Sequence, residues 1–303
     1  MAQFHRAQEG FAACRGYKTH FRVIGNGATQ PALLCVHGGP AFGSEYLLSL
    51  ATIGQTGRKV VFYDQLGCGA SGHPEANFNW SLPLFVEELE AVRDAAELEQ
   101  YHVLGHGWGG VIALEHALRR PAGLAGLVLA STVPSIPGWR AALAGLVARL
   151  PGEVRRSLEG LGCADASASA ACRGLLDIVL RHHFCRMNPW PDVLERAVAE
   201  SRAHPAAGNA LFGQSLLAPA GRLADWDVTG RLGEVRCPTL VTCGRYDMAT
   251  PEMAAALYRG VPDSVWVVLE RSAHVPHLEE PQRYLELLDG FLGRSDGARR
   301  RRA

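Results

Sequence analysis

The sequence contains no apolar run that approaches the ~20 residues of a membrane span. Its first residues, Met1-Ala-Gln-Phe-His-Arg, hold no apolar signal core, so the expected location is cytoplasmic. It carries no net charge, with 30 Lys+Arg against 30 Asp+Glu. That balance argues against nucleic acid or an anionic membrane as the main partner. None of the eight cysteines (14, 35, 68, 163, 172, 185, 237 and 243) forms a C-x-x-C pair. In a reducing compartment they read as free thiols, several of them buried. There is no internal repeat. Gly67-Cys68-Gly69 lacks the G-x-G-x-x-G spacing and the Walker lysine of a phosphate loop. What remains is ordinary for a globular chain: 303 residues, 48% apolar and 20% charged. A chain of this length buries enough surface to need neither disulfides nor a metal for its core.

Residues 11–25 read as two short strands. Strands then alternate with helices. Apolar runs at Ala32–Val36, Val60–Tyr63, Tyr101–Leu104, Leu127–Ala130, Thr239–Thr242 and Val265–Leu269 read as strands, and 82–98 and 109–119 as helices. Continuous apolar strands separated by helices predict an α/β fold with a mostly parallel sheet covered on both faces. Residues 133–230 interrupt the alternation with helical stretches and scattered aromatics. They predict a helical cap over the C-terminal strand ends, where open α/β sheets bind ligands. The expected organisation is a core at 1–132, a cap at 133–230, core again at 231–293, and a disordered basic tail at 294–303.

The segment Gly105-His106-Gly107-Trp108-Gly109 follows a strand and opens a helix. That is the setting of the G-x-S-x-G nucleophile elbow, with glycine at the nucleophile position. The acid and the histidine of such a site follow in chain order. Asp247 lies after the strand at 239–242, in Gly244-Arg245-Tyr246-Asp247, and His274 after the strand at 265–269, in Ser272-Ala273-His274. The loop His37-Gly38-Gly39-Pro40 follows an early strand, where it can offer a backbone N–H to an oxyanion, with the Trp108 N–H as second donor.

These residues resemble the proline iminopeptidase family of α/β hydrolases, in its tricorn-associated aminopeptidase branch. The resemblance covers about residues 10–293. It rests on HGGP at 37–40, YDQLGCGAS at 63–71, the elbow at 105–110, DWD at 225–227, GRYDMATP at 244–251 and SAHVPHLEEP at 272–281. It implies an α/β-hydrolase core, a helical cap and no cofactor. It also implies Asp247 and His274 as acid and base and Gly39 and Trp108 as the oxyanion hole. Arg245, His37 and Pro40 are the substrate-side candidates, and His37 reads as organising the oxyanion loop through hydrogen bonds rather than moving protons.

Three departures change the expected chemistry. Gly107 stands where the family's covalent mechanism needs a serine, and His106 before it supplies no hydroxyl. The family's two ammonium-binding glutamates align with Leu216 and Arg245, and a guanidinium suits a carboxylate, phosphate or electron-rich oxygen. Ala41 replaces the glycine after HGGP and decides nothing alone.

Three functions follow. The first is an enzyme without nucleophilic serine. It uses His274–Asp247 as general base on a small carbonyl metabolite, as a lyase, isomerase, cyclase or water-mediated hydrolase. The second is a proline iminopeptidase-like hydrolase inactivated by a serine-to-glycine change, and the third a non-catalytic binding protein. The expected partner is a small molecule, with no metal, and a role in specialised metabolism would fit so unusual a site. The sequence does not set the oligomeric state. The remaining candidates have plainer readings. His182 and His183 are adjacent on a helix, so they point about 100° apart and seldom share a metal. Cys68 reads as a packed thiol, Asp64 as a loop-fixing acceptor, and His106 and His277 as neighbours of the site.

Overall fold

The computed structural model describes residues 7–25, 27, 30–75, 77–153, 155–156, 170–215 and 218–300. Eight strands form one sheet in the order β1-β2-β4-β3-β5-β6-β7-β8. They are β1 (Gln8–Cys14), β2 (Tyr17–Ile24), β3 (Ala32–Val36), β4 (Val60–Tyr63), β5 (Tyr101–His106), β6 (Leu124–Ala130), β7 (Thr239–Gly244) and β8 (Ser264–Leu269). The β1–β2 hairpin is antiparallel and joins β4 antiparallel, and every other pairing is parallel.

β3, β4 and β5 are buried at every position. Alternate side chains point to opposite faces of a strand. Leu34, Val36, Val61 and Tyr63 therefore pack with helices α1 (Leu82–Ala95) and α2 (Trp108–Leu118) on one side. Leu33, Cys35, Val60 and Phe62 pack on the other side, against Leu47 and Leu50 of the 3-10 segment Glu45–Thr56 and Tyr284, Leu288 and Phe291 near the C-terminus. A strand buried on both faces needs apolar residues throughout, which is why these strands read as runs rather than alternations.

Because the six central and C-terminal strands are parallel, their C-terminal ends open on one edge. The chain leaves the core after β6. The described part of the excursion holds α3 (Ile136–Ala148), α4 (Ala170–His183), α5 (Asp192–Ala203) and α6 (Ala206–Phe212), and no strand. Exit and return are tied together. Ser135 pairs with Asp227, Ile136 N–H donates to Trp226 C=O, and Val228 N–H donates to Pro134 C=O. The Ser135 hydroxyl donates to Asp227 at 2.9 Å and caps α3 by accepting from Gly138 N–H. Two residues of the Asp-Trp-Asp motif thus close the neck of the excursion. Helix α7 (Pro251–Gly260) joins β7 to β8, and the one-turn α8 (Pro276–Glu279) precedes α9 (Pro281–Arg300).

The tail corrects the sequence expectation. Residues 294–300 continue α9 rather than forming a disordered end. Asp296 takes hydrogen bonds from Arg58 at 2.6 Å and His102 at 2.9 Å, both deeply buried, and this tether extends the helix.

Candidate active site

The elbow between β5 and α2 turns at Gly107, with φ 53° and ψ −116°. A side chain is strained in that conformation, and glycine adopts it freely. Its N–H donates to Ala130 C=O, and its carbonyl accepts from the Thr132 hydroxyl at 2.7 Å. Two residues on, a Cβ at Gly109 would sit 2.2 Å from the Val36 carbonyl, so only glycine lets α2 approach β3. A Cβ at Gly107 would instead meet His274 Nε2 at 3.1 Å. The turn is aimed at that imidazole.

His274 lies in the loop after β8, and its Nδ1–H donates to Asp247 Oδ1 at 2.7 Å. Asp247 lies in the loop after β7, buried, and the same oxygen accepts from Ala249 N–H at 2.7 Å. This hydrogen bond places the proton of neutral His274 on Nδ1 and leaves Nε2, facing position 107, as the acceptor. A carboxylate so placed is able to stabilise a positive charge on the ring.

The loop after β3 is held from beneath. His37 is fully buried: its Nδ1–H donates to Gly38 C=O at 2.7 Å and its Nε2 accepts from Gln65 N–H at 3.0 Å. Burial pushes its basicity down, so it stays neutral. Gln65 donates to His37 C=O at 2.7 Å and accepts from Trp108 Nε1–H at 2.8 Å. Tyr46 accepts from Gly38 N–H at 2.7 Å and donates to His106 Nδ1 at 2.8 Å. His106 Nε2–H donates onward to His274 C=O at 2.8 Å. Burial, then the nearby His274 and His277, hold His106 well below the usual imidazole range. A continuous neutral network thus links the loop at Gly38 to the backbone of His274. Sequence reading missed Gln65 and Tyr46. Gln65 stood inside a quoted motif, but its role depends on contacts across 28 and 43 residues of chain.

A cavity of about 580 Å³ opens between these loops and the cap. Gly39, Pro40, Gly107, Trp108 and His274 line one side. Trp139, Leu180, Phe184 and Phe212 supply an apolar wall from the cap, and Arg202, Asn209 and Gln214 are among its polar residues. Trp108 is the first residue of α2, so its N–H has no intrahelical partner. Backbone N–H groups at such a point stabilise a developing oxyanion. Among the described lining residues there is no Asp or Glu.

Other sequence candidates lie elsewhere. Arg245 does not line the cavity. Its guanidinium makes a forked pair with Glu270, at 2.8 and 2.6 Å, on the exposed side of the β7 and β8 loops. His37 does not line it either, because its ring serves the loop. Leu216 lies outside the described residues. The Cys68 thiol is buried, donates to Gln65 C=O, and is held protonated by desolvation. Asp64 accepts from Ser44 N–H and hydroxyl and from Ala70 N–H. His182 and His183 direct Nδ1 to different carbonyls, Ile178 and Tyr246. No group of three or more His, Cys, Asp or Glu among the described residues is placed to hold a metal ion. No helix among them is long and apolar enough to cross a membrane.

Comparison with known proteins agrees with this architecture. The family model of the alpha/beta hydrolase fold matches residues 31–281. The proline iminopeptidase of Heyndrickxia coagulans is 34% identical over 287 residues, covering 94% of this chain and 98% of that one. That of Clostridium botulinum is 32% identical over 294 residues, covering 95% and 99%. Two solved structures superimpose with TM-score 0.89. VinJ is 34% identical and covers 94% of this chain and 98% of its own, and the proline iminopeptidase of Mycobacterium smegmatis is 32% identical and covers 96% and 99%. With this sheet, this loop order and relatives of this similarity along nearly its whole length, the chain belongs to the alpha/beta hydrolase family and has proline iminopeptidases as its homologues.

Proposed function

We propose that this chain is an enzyme acting on a small carbonyl-containing compound, with the His274–Asp247 pair as general base and no covalent nucleophile. The observation that carries this reading is the 2.7 Å His274–Asp247 hydrogen bond, kept where the facing elbow residue is Gly107. His274 Nε2 would take a proton from a carbon beside the carbonyl, or from an attacking water. Asp247 would stabilise the resulting imidazolium. The Gly39 and Trp108 N–H groups would hold the negative charge that develops on oxygen. General base catalysis supplies about 10²–10⁴-fold. Removing the serine of a covalent mechanism costs on the order of 10⁶-fold. An acyl-enzyme route from position 107 is therefore outweighed in the chain as written.

The lining supports a departure from aminopeptidase specificity. A substrate ammonium in a largely apolar cavity needs a carboxylate partner, and none lines the described part. The relatives' names favour a second reading, a proline iminopeptidase whose nucleophile has been replaced. The two readings separate in one experiment. Ester, amide and prolyl-arylamide substrates and a panel of carbonyl metabolites are offered to the chain as written, to Gly107→Ser and to His274→Ala. Turnover by the glycine form that is lost in His274→Ala supports the proposal. Turnover by the serine form alone supports the second reading. Ligand binding without turnover in any form would make the protein a receptor.

A further inference from the structure

Where α4 ends, the cap enters the catalytic loops. The His183 carbonyl accepts from Met248 N–H at 3.0 Å, and His183 Nδ1–H donates to Tyr246 C=O at 2.8 Å. These are the residues on either side of Asp247. The next carbonyl, of Phe184, accepts from the backbone N–H of His274 at 3.0 Å. The Phe184 ring stacks on the His274 imidazole, with centroids 5.3 Å apart and planes 30° apart. Arg186 N–H and Ala273 N–H both donate to the Glu279 carboxylate at 2.8 Å, which ties the same segment to the residue before His274.

We propose that His183 and Phe184 are positioning residues through which the cap sets the geometry of the His274–Asp247 pair. Phe184, which also lines the cavity, would in addition be a wall against which substrate rests. The inference rests on the catalytic reading of that pair. Its physical basis is that the restraints on the pair are shared between core and cap. From the core, His106 donates to the His274 carbonyl at 2.8 Å and meets its ring edge-on with centroids 4.9 Å apart, and the cap supplies the opposite side. The hydrogen bond to Asp247 fixes one point of the imidazole, and the ring can still rock about it. The stacked Phe184 ring limits that motion. The two bonds of His183 fix the loop on both sides of Asp247. A general base must hold its proton acceptor within about half an ångström of the productive position, and misplacement by ~1 Å costs about 10²-fold. Core bonds, from His106 to the His274 carbonyl and from Tyr246 N–H to Ser272 C=O, hold the two loops to the sheet and to each other but leave the cap side of the pair open. Here three hydrogen bonds and one ring stack pass through two consecutive cap residues, His183 and Phe184.

The test uses the full-length protein and three variants, Phe184→Leu, His183→Leu and His183→Asn. Asparagine keeps a donor where Nδ1 stands. The first readout needs no substrate: the downfield proton resonance of His274 Nδ1–H, assigned by its loss in His274→Ala, with thermal midpoints as the folding control. The second is kcat and KM on a substrate turned over by the parent chain. The expected result is a shifted or broadened resonance and a kcat about 10-fold lower or more in both leucine variants. KM should rise in Phe184→Leu only, and His183→Asn should recover the parent resonance. A parent-like resonance in folded Phe184→Leu and in folded His183→Leu overturns the proposal. If His183→Leu does not fold, Phe184→Leu and His183→Asn decide it, the second failing the proposal if it also loses the resonance. The resonance is read without turnover, so failure of the positioning role is distinguishable from failure of the catalytic reading, in which the resonance shifts as expected and no substrate is turned over.

Discussion

His274 Nε2 lies 3.1 Å from the point where a Cβ on Gly107 would stand, which is closer than ordinary van der Waals contact. A serine placed there would need His274 to withdraw by a few tenths of an ångström, and its hydroxyl would then be within hydrogen-bond reach of Nε2.

Restoring the hydroxyl should therefore have opposite effects on stability and chemistry. Gly107→Ser places a side chain at φ 53°, at a cost on the order of 1–3 kcal/mol. A lower thermal midpoint is expected, together with burst-phase release from an activated ester. Gly107→Ala should show the same destabilisation and no burst. A burst in the alanine variant would locate the nucleophile elsewhere.

Arg245 should be dispensable for turnover. Its forked pair with Glu270 is exposed and outside the cavity. Arg245→Ala is expected to leave kcat/KM within about twofold, since surface changes away from special features have small effects. A large rise in KM would show that the guanidinium reaches substrate, as the sequence alone had implied.

Glu88 gives the stability a pH dependence of definite sign. It is fully buried, and its Oε1 accepts from the Thr19 hydroxyl at 2.6 Å and Leu66 N–H at 2.7 Å. Burial pushes its carboxyl up to about 8. An unfolded glutamate titrates near ~4.3. Between these values the folded state holds a proton that the unfolded state has released. Stability from this group therefore falls as pH rises through that window and levels off above it, by on the order of a few kcal/mol. Glu88→Gln keeps the Oε1 acceptor and should flatten the slope in denaturant midpoints between about pH 5 and about pH 8. An unchanged slope would assign it to other groups. His277, pushed by burial to about 3, has the opposite sense: its contribution is lost as pH falls below the unfolded histidine value.

The C-terminal helix is anchored by charge. Arg58 and His102 both donate to Asp296, and all three are buried. Breaking such a group from one side leaves an uncompensated buried charge, at about 3–5 kcal/mol. Asp296→Ala should lower the denaturant midpoint accordingly, and deleting residues 294–303 should do at least as much. A midpoint unchanged by either would make the anchor superfluous.

Much of the architecture was legible before the structure. Continuous apolar runs marked the strands buried on both faces, and the parallel order follows from helices placed between them. The loops bearing Gly39, Gly107, Asp247 and His274 could be located because each directly follows a strand, and parallel strands send those loops to one edge. Readings that depended on where a side chain turns were less secure. His37 and Arg245 stand beside key positions in the chain, yet one ring faces inward to Gln65 and the other group faces outward to Glu270. The basic tail looked disordered because a run of four arginines, 299–302, dominates its composition, and Asp296, the residue that anchors it, is paired across 238 residues.

The sequence by itself determined the sheet, the edge on which the site lies and the absence of a hydroxyl at the elbow, because strand burial, loop order and residue identity are local properties. Only the tertiary structure decided that His274 bonds Asp247, that Gln65, Tyr46 and His106 join the loops in one neutral network, and that His183 and Phe184 contact the loops of Asp247 and His274. Those relationships consist of hydrogen bonds and ring contacts between segments far apart in the chain, and no local pattern records which of the possible partners a folded backbone brings within 3 Å.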